Sequence, residues 1–373
     1  MAEHNKEHVC TITTKQQPIP TSIGGETFKR YCFSNGVTEQ GSIIHGGWVG
    51  TEDSPSFKCS TVRLSFPSLE LSEVLIVGDT NPPGISDGTS VCYGDKLFVF
   101  GGINAARKGN HDVWMLYLPT GKWKIVANDC KLAIYGQKAV LIKDCVYFFS
   151  ANNSSHWNEL HYFNVTSNEW GKKKTNAGPC VRVHHTACYV NVPGNKGKGW
   201  NYILIFGGKL KNGGISNDTW HINVETNNWE LLQARGSIPS ERYRHAAFLY
   251  QDFLWIQGGK NRNGTALNDL YSFDVENNLW TECEPTTPLQ GRFGHSIVLN
   301  LQQLYIFGGI SEAVADIIDL TTLRGHRGET LSLDAPRLRS TNTSPSRLRV
   351  HSQRFTKEGT QSMSPTLSYD GPP

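Results

Sequence analysis

One arrangement of residues recurs about every fifty positions along this chain of 373 residues, and it constrains the fold more than any local pattern. In its clearest copy, Arg242 and His245 precede an apolar run that ends in Gly258-Gly259, and Asp269 and Trp280 follow. The His position lies thirteen residues before the first position of the glycine pair in five of six copies, and the acidic position lies eleven before the Trp in four. A repeat of this length indicates a series of equivalent structural units.

Each unit has the pattern of four short β-strands. Continuous apolar runs before the glycine pairs, such as 202–206 and 304–307, predict strands buried on both faces. The glycine pair ends such a strand, because the backbone there needs conformations closed to residues with a Cβ. An alternating segment follows at 270–275, then a polar turn, and the Trp opens the next strand. Four antiparallel strands per unit, repeated radially, predict an all-β fold, a six-bladed β-propeller.

The double glycine, the acidic position after it and the Trp eleven residues later resemble the kelch repeat. The resemblance covers residues 9 to 323. It is weaker in the third unit, where Ser150-Ala151 replaces the glycine pair, and the first and sixth units lack the Trp. It implies a free-standing kelch propeller that binds partner peptides at the mouth of its central channel. Neither a cofactor nor a resident metal is implied.

The ends of the chain differ from the repeats. We expect residues 1–8 to be disordered, residues 9–323 to form the propeller, and residues 324–373 to be a disordered basic tail rich in Ser, Thr and Pro. Because Arg327 occupies the Trp position of the sixth unit, we predict that the strand-like segment near residue 9 completes the last blade. The alternative is closure by residues 329–333.

Composition narrows the function classes. The net charge of +3 is too small to indicate nucleic-acid binding by itself, and no apolar run is long enough to span a membrane. The polar N-terminus shows no secretory signal, so we expect the protein in the cytoplasm, with the nucleus as the alternative location. We also expect the propeller to be a monomer. The nine cysteines include no C-x-x-C pair, and residues such as Cys92, Cys145 and Cys188 are expected to be reduced and buried in strands.

The repeated Arg is the first candidate for partner binding. Arg182, Arg242 and Arg292 each precede a His by three residues, and Arg30 stands in the first unit without the His. Because innermost strands line a propeller channel, a ring of these side chains at its mouth would suit an acidic peptide or a C-terminal carboxylate, which a guanidinium binds bidentately. The alternative is structural, with each Arg bonding neighbouring carbonyls. The same rim is predicted to include Tyr243, Arg244 and Phe293.

The loops after the glycine pairs are the second candidate. They are expected to open on the same face as the Arg-containing connections, and a rigid scaffold commonly presents functional residues on loops. Exposed Trp and Arg are frequent binding anchors, although any single Lys there equally fits a solvated side chain. The candidate residues are Trp48, Lys209, Lys260 and Arg262.

Metal-dependent catalysis in the channel is the alternative function. The pair His184-His185 could meet His245 and His295 there, but a zinc or copper site needs such ligands within a few ångströms and oriented by further partners. No G-x-S-x-G elbow, phosphate loop or H-E-x-x-H motif is present. The sequence therefore favours a non-enzymatic interaction scaffold or adaptor, of which the substrate receptor of a ubiquitin ligase is one form.

Overall fold

The computed structural model describes residues 9–19, 30–39, 41–50, 54–128, 135–149, 159–192, 200–309 and 314–324. Across these ranges the regular elements are all β-strands, so no helix is available there to cross a membrane. Three predicted features lie outside the described residues: the disordered segment 1–8, the tail after residue 324, and the alternative closing segment 329–333.

The strands pair into six antiparallel ladders, each of four main strands. The first contains β2 (Ser34–Thr38), β3 (Gly41–His45), β6 (Thr61–Leu64) and β7 (Leu71–Glu73), with β4 (Trp48–Gly50) and β5 (Pro55–Phe57) forming a separate hairpin. The second contains β8 (Thr89–Tyr93), β9 (Lys96–Phe100), β10 (Val113–Tyr117) and β11 (Lys122–Ala127). The third contains β12 (Val140–Ile142), β13 (Cys145–Phe148), β14 (Glu159–Asn164) and β15 (Glu169–Lys174).

The remaining ladders follow the same order from the inner to the outer strand. The fourth contains β16 (Arg182–Val183), β17 (Thr186–Val192), β18 (Trp200–Leu210), β19 (Ile215–Asn223) and β20 (Asn228–Leu231). The fifth contains β22 (Ala246–Tyr250), β23 (Phe253–Lys260), β24 (Ala266–Asp274) and β25 (Leu279–Pro285), with β21 (Arg235–Gly236) beside β25. The sixth contains β26 (His295–Asn300), β27 (Gln303–Gly308), β28 (Val314–Arg324) and β1 (Val9–Pro18).

The apolar core is divided among the gaps between successive ladders. Each of six buried clusters draws side chains from two neighbouring ladders. Phe100 meets Phe148 across the second gap with ring centroids 4.9 Å apart, and Phe33 stacks on Phe307 at 6.0 Å to join the first ladder to the sixth. Since the last cluster returns to the first ladder, the ladders close into a ring, and the predicted all-β propeller is confirmed.

The N-terminal strand closes the ring. β1 pairs antiparallel with β28 and parallel with β25, so it is the outer strand of the sixth blade and a bridge to the fifth. Ile12 is only 1% exposed there and packs in the core between the two blades. The predicted closure is therefore confirmed. A strand from one end of the chain covers the edges that β25 and β28 would otherwise expose.

The repeat positions have the structural roles that their spacing suggested. Gly258 has a φ of 61°, and a Cβ on it would lie 2.6 Å from the carbonyl oxygen of Arg292, so only glycine fits the end of β23. The repeated Trp side chains pack in the core between neighbouring blades: Trp123, Trp229 and Trp280 are buried and Trp170 is half-buried.

The cysteines only partly match the expectation of burial. Cys92 is buried, whereas Cys145 and Cys188 are half-buried and two others, Cys59 and Cys180, are exposed. The structure pairs none of the described cysteines in a disulfide.

Candidate functional site at the channel mouth

A closed ring of backbone hydrogen bonds surrounds the channel at one face. Each blade contributes one residue, placed just before the His position of its repeat, and its N–H donates to the carbonyl of the equivalent residue in the preceding blade. The six residues, here called the mouth ring, are Cys32, Asp87, Gly136, His184, Arg244 and Gly294. The five ring distances of normal length lie between 2.7 and 2.9 Å, and the remaining bond joins His184 to Gly136.

The mouth ring holds its residues in an uncommon backbone conformation. The four members that carry a side chain, Cys32, Asp87, His184 and Arg244, have φ between 54° and 58°. Such residues cost of order 1–3 kcal/mol each and cluster at functional sites, where the surrounding structure imposes them. Here the continuous hydrogen-bonded ring imposes them, and it turns three polar side chains toward the channel opening.

An aspartate of the mouth ring is central to its electrostatics. The Asp87 carboxylate is 7% exposed and lies 3.6 Å from Nη2 of Arg244 and 3.5 Å from Nδ1 of His184. These groups surround a small cavity of about 50 Å³. Burial lowers the pKa of His184 to about 4, although the Asp87 charge opposes this effect. Sequence reasoning found Arg244 but missed Asp87, because Asp87-Gly88 reads as an ordinary turn.

The three repeated arginines that were predicted at the mouth lie inside the blades instead. Arg242 is fully buried; its Nη1 donates to Oδ1 of Asp269 at 2.6 Å and to the Gly258 carbonyl at 3.1 Å, and its Nη2 donates to Oδ2 at 2.8 Å. Arg292 bonds Asp316 at 2.7 Å and the Gly308 carbonyl at 3.0 Å in the same way. Each guanidinium therefore joins the connection before the inner strand to the next two strands of its own blade and is not presented to a ligand.

Arg182 and Arg30 repeat this arrangement with small changes. Arg182 bonds both carboxylate oxygens of Asp218 and the Gly207 carbonyl. Burial alone would raise the pKa of Asp218, but Arg182, Ser216 and Trp220 hold it below the usual value. Arg30 is half-buried and bonds the carbonyl and hydroxyl of Ser60, which takes the place of the aspartate. Asp218, Asp269 and Asp316 thus each accept from the arginine of their own blade.

The loops after the glycine pairs do open on the face of the mouth ring, here called the loop face. Backbone bridges join Tyr243 to Lys260 and Tyr31 to Trp48 at their bases. The exposed Lys209 lies 5.8 Å above the Tyr243 ring, and the half-buried Lys260 lies 4.8 Å above the ring of Phe293 in the next blade. Two lysines thus lie over aromatic rings on the side of the mouth formed by the fourth, fifth and sixth blades, and each reaches toward the following blade.

Two predicted anchors are not exposed. Trp48 is 5% exposed, because the ring of Tyr31 packs against it with centroids 3.4 Å apart. Phe293 is 4% exposed, because Lys260 covers it. Arg262 is exposed as predicted and pairs with Glu241 at 2.9 Å. The accessible part of the predicted set is therefore Lys209, Tyr243, Arg244, Lys260 and Arg262.

The repeated histidines do not converge in the channel. His245 bonds Oγ1 of Thr186 at 2.9 Å and packs edge-on against Phe206 of the preceding blade, and His185 packs similarly against Phe149. Each imidazole thus fills a gap between blades, which corrects the alternative that placed them together as metal ligands. Among the described residues, no group of three or more His, Cys, Asp or Glu side chains is arranged to hold a metal ion.

We expect these buried imidazoles to make the fold sensitive to mild acid. Burial lowers the pKa of His185 to about 3 and that of His45 to about 4, and holds those of His245 and His295 well below 6.5. The unfolded chain binds more protons below pH 6.5, so each ring lowers the free energy of unfolding by up to about 1.4 kcal/mol per pH unit between 6.5 and its folded pKa.

Urea unfolding at pH 7, 6 and 5 measures this dependence. Replacing one imidazole ring, as in His45→Gln, removes the contribution of about one proton. It is expected to reduce the slope of the unfolding free energy against pH by up to about 1.4 kcal/mol per pH unit. A stability that stays constant from pH 6.5 to 5 in the wild-type protein would contradict the assignment of neutral buried rings.

Comparisons with known proteins agree with this architecture. The family described as the KLHDC2/KLHL20/DRC7 Kelch-repeats domain matches residues 2–194 and 198–357. Putative protein tag-53 of Caenorhabditis elegans is 26% identical over 262 residues, which are 64% of this chain and 19% of that protein. Human Kelch domain-containing protein 3 is 30% identical over 188 residues, 47% of each chain. Human Rab9 effector protein with kelch motifs is 32% identical over 165 residues, 41% of this chain and 43% of that protein. The match thus spans half or less of the length of these relatives.

Proposed function

This chain belongs to the kelch-repeat family, as its repeat predicted, and on that premise we propose that it is a non-enzymatic adaptor that binds segments of other proteins at the loop face. The observation that carries the proposal is the rim of Lys209, Tyr243, Arg244 and Lys260 at one side of the mouth ring. Functional residues concentrate on loops that a rigid scaffold positions, and this rim is such a set.

The chemistry of the rim favours acidic segments or C-terminal carboxylates as ligands. Three cationic side chains lie at one side of the opening, and Asp87 is already engaged by Arg244 and His184. A carboxylate that reached the small cavity at the mouth would meet charge-assisted donors, which form shorter and stronger hydrogen bonds than neutral groups. The aromatic rings beneath the lysines offer flat apolar surface to the rest of a bound peptide.

A matched pair of charge variants tests this proposal. The rim variant combines Lys209→Glu, Lys260→Glu and Arg244→Gln. The control combines Lys122→Glu, Lys124→Glu and Lys174→Gln, which change the net charge equally on exposed outer strands. After thermal melting shows that both are folded, each is used as bait in cell lysate and its partners are identified by mass spectrometry.

We expect the rim variant to lose most of the partners that the control retains, with affinities reduced at least about tenfold for direct binders, equivalent to about 1.4 kcal/mol. Blocking the terminal carboxylate of a recovered partner's peptide by amidation then separates recognition of a chain end from recognition of internal acidic residues. Equal partner sets for the two variants would overturn the proposal for this face.

One form of this proposed adaptor is a substrate receptor of a ubiquitin ligase, acting in the cytoplasm or nucleus. The same wild-type bait tests it, because a receptor co-purifies with a cullin or its adaptor as well as with its substrates. Recovery of partners without any ligase component would leave the protein an adaptor of another assembly.

A further inference from the structure

The channel beyond the mouth ring contains a second, larger cavity. It has a volume of about 260 Å³ and is lined by the inner strands of all six blades. It extends from the layer below the mouth ring toward the hairpin ends of the inner strands, where Leu301 is 85% exposed. It therefore lies on the opposite side of the mouth ring from the loop face.

A single lysine breaks the repeat at the inner end of this cavity. Five blades carry a small buried residue immediately after the His position: Ser34, Thr89, Thr186, Ala246 and Ser296. The third blade carries Lys138 there instead, and its side chain is half-buried against both the large cavity and the small one. A repeat position that departs from its structural pattern in one blade indicates a role other than holding the blades together.

The small residues at this layer have a structural use that Lys138 lacks. The hydroxyl of Thr89 accepts the Ala139 N–H at 3.0 Å, and that of Ser296 donates to Oδ1 of Asn35 at 2.8 Å, so both bridge adjacent blades. The longer Lys138 side chain enters the channel, where Asp87, Cys188 and His295, each from a different blade, lie within its electrostatic range. Its ammonium consequently lies near the axis of the channel.

The charge of this lysine is not matched by a neighbouring acid. None of the carboxylates in the described ranges lies within ion-pair distance of the Lys138 ammonium, and the nearby Asp87 is paired with Arg244 and His184. Burial lowers the pKa of Lys138, because a low-dielectric environment disfavours its charged form. A bound anion would reverse that effect, because an opposite charge favours the ammonium.

Apolar and polar groups share the rest of the cavity wall. Val91, Ala247 and Ile297 contribute apolar surface from three inner strands, and Ser34 and Ser90 contribute polar surface. An apolar cavity of about 150 Å³ holds a benzene-sized molecule, so this one has room for a chain of several more carbon atoms. Ligand cavities combine apolar surface with a few polar groups that fix orientation, and Lys138 supplies the charged group here.

We propose that the channel is a binding site for a small apolar carboxylic acid, which enters from the hairpin side and pairs its carboxylate with the Lys138 ammonium. The hydrocarbon part would lie against the alanine and branched aliphatic side chains of the inner strands. This site goes beyond the proposed partner binding at the loop face and does not depend on it.

Octanoate is a suitable probe, since its chain and carboxylate match the size and polarity of the cavity. By ligand-observed NMR titration we expect wild-type protein to bind octanoate with a Kd of about 0.1–10 mM, the range typical of a ligand with about ten heavy atoms. Octanamide is expected to bind more weakly because it lacks the charge, and acetate more weakly still because it lacks the chain.

Four variants locate the site. Lys138→Ser copies the residue of two other blades, and Lys138→Met keeps the length without the charge; each is expected to weaken octanoate binding about tenfold and to leave octanamide unaffected. Ala247→Phe is expected to abolish binding of both by filling the cavity. Lys174→Gln, on an exposed outer strand, is expected to leave octanoate binding within about twofold of wild type.

Three results would each overturn the proposal: no octanoate binding by the folded wild-type protein, equal octanoate binding by wild type and both Lys138 variants, or loss of octanoate binding through Lys174→Gln alone.

Discussion

Replacing Arg292 by alanine is expected to lower the free energy of unfolding by about 3–5 kcal/mol, because it leaves a buried carboxylate without its charge partner. The side chains of Arg292 and Asp316 are 0% and 1% exposed and lie 2.7 Å apart. Water cannot replace the guanidinium at that depth, and the Gly308 carbonyl loses its donor too. Equilibrium unfolding in urea, monitored by tryptophan fluorescence, measures the change.

The other blades supply a graded series for this prediction. The paired carboxylates of Arg242 and Arg182 are 23% and 30% exposed, so alanine at these positions is expected to cost less than at position 292. Arg262→Ala is the control, since its exposed pair with Glu241 is worth about 0–1 kcal/mol. The double variant Arg292→Met with Asp316→Leu is expected to recover much of the loss. If Arg292→Ala costs no more than Arg262→Ala, these arginines do not hold the blades.

Removing residues 1–18 is expected to destabilise the propeller more than any single substitution, because it opens the ring. The truncation takes away β1, which pairs with strands of two blades, and leaves β25 and β28 as unpaired edges. Exposed edges of this kind favour association between chains. We expect a lower Tm, a broader transition and concentration-dependent aggregation, measured by thermal melting and size-exclusion chromatography.

Point variants in β1 separate the loss of packing from the loss of the strand. Ile12→Ala is expected to cost about 2–5 kcal/mol, because Ile12 is buried between the fifth and sixth blades. The exposed neighbour Thr11 is the matched control, and Thr11→Ala is expected to stay within about 0.5 kcal/mol of wild type. A truncated protein that melts like wild type would show that another segment closes the ring.

Much of the fold could be predicted from the sequence because its determinants are local and repeated. The spacing of thirteen residues from the His position to the glycine pair sets the length of two strands and the turn between them. Apolar runs such as 202–206 indicated which strand of a blade is buried on both faces, and the missing Trp of the sixth unit indicated the closure by β1. These features depend on hydrogen-bond register and glycine conformation, which a few neighbouring residues determine.

The site was harder to predict because its geometry depends on contacts between distant segments. Arg182, Arg242 and Arg292 were placed at the mouth, yet their aspartate partners lie 36, 27 and 24 residues away and draw them into the blades. Trp48 and Phe293 were expected to be exposed, but Tyr31 and Lys260 cover them. The direction of a long side chain is decided by what neighbouring strands present to it, and the spacing of the repeat carries no information about that.

The mouth ring and Lys138 also show which features the sequence determines and which only the tertiary structure decides. The sequence by itself determined that an equivalent position occurs once in every blade, but only the tertiary structure brings Cys32, Asp87, His184 and Arg244 into one hydrogen-bonded circle. Lys138 is one basic residue among many in the sequence, and it becomes distinctive only when five small residues from other blades surround the same layer of the channel. Strand pairing follows from local sequence, whereas a site on the axis of a propeller is assembled from every blade at once.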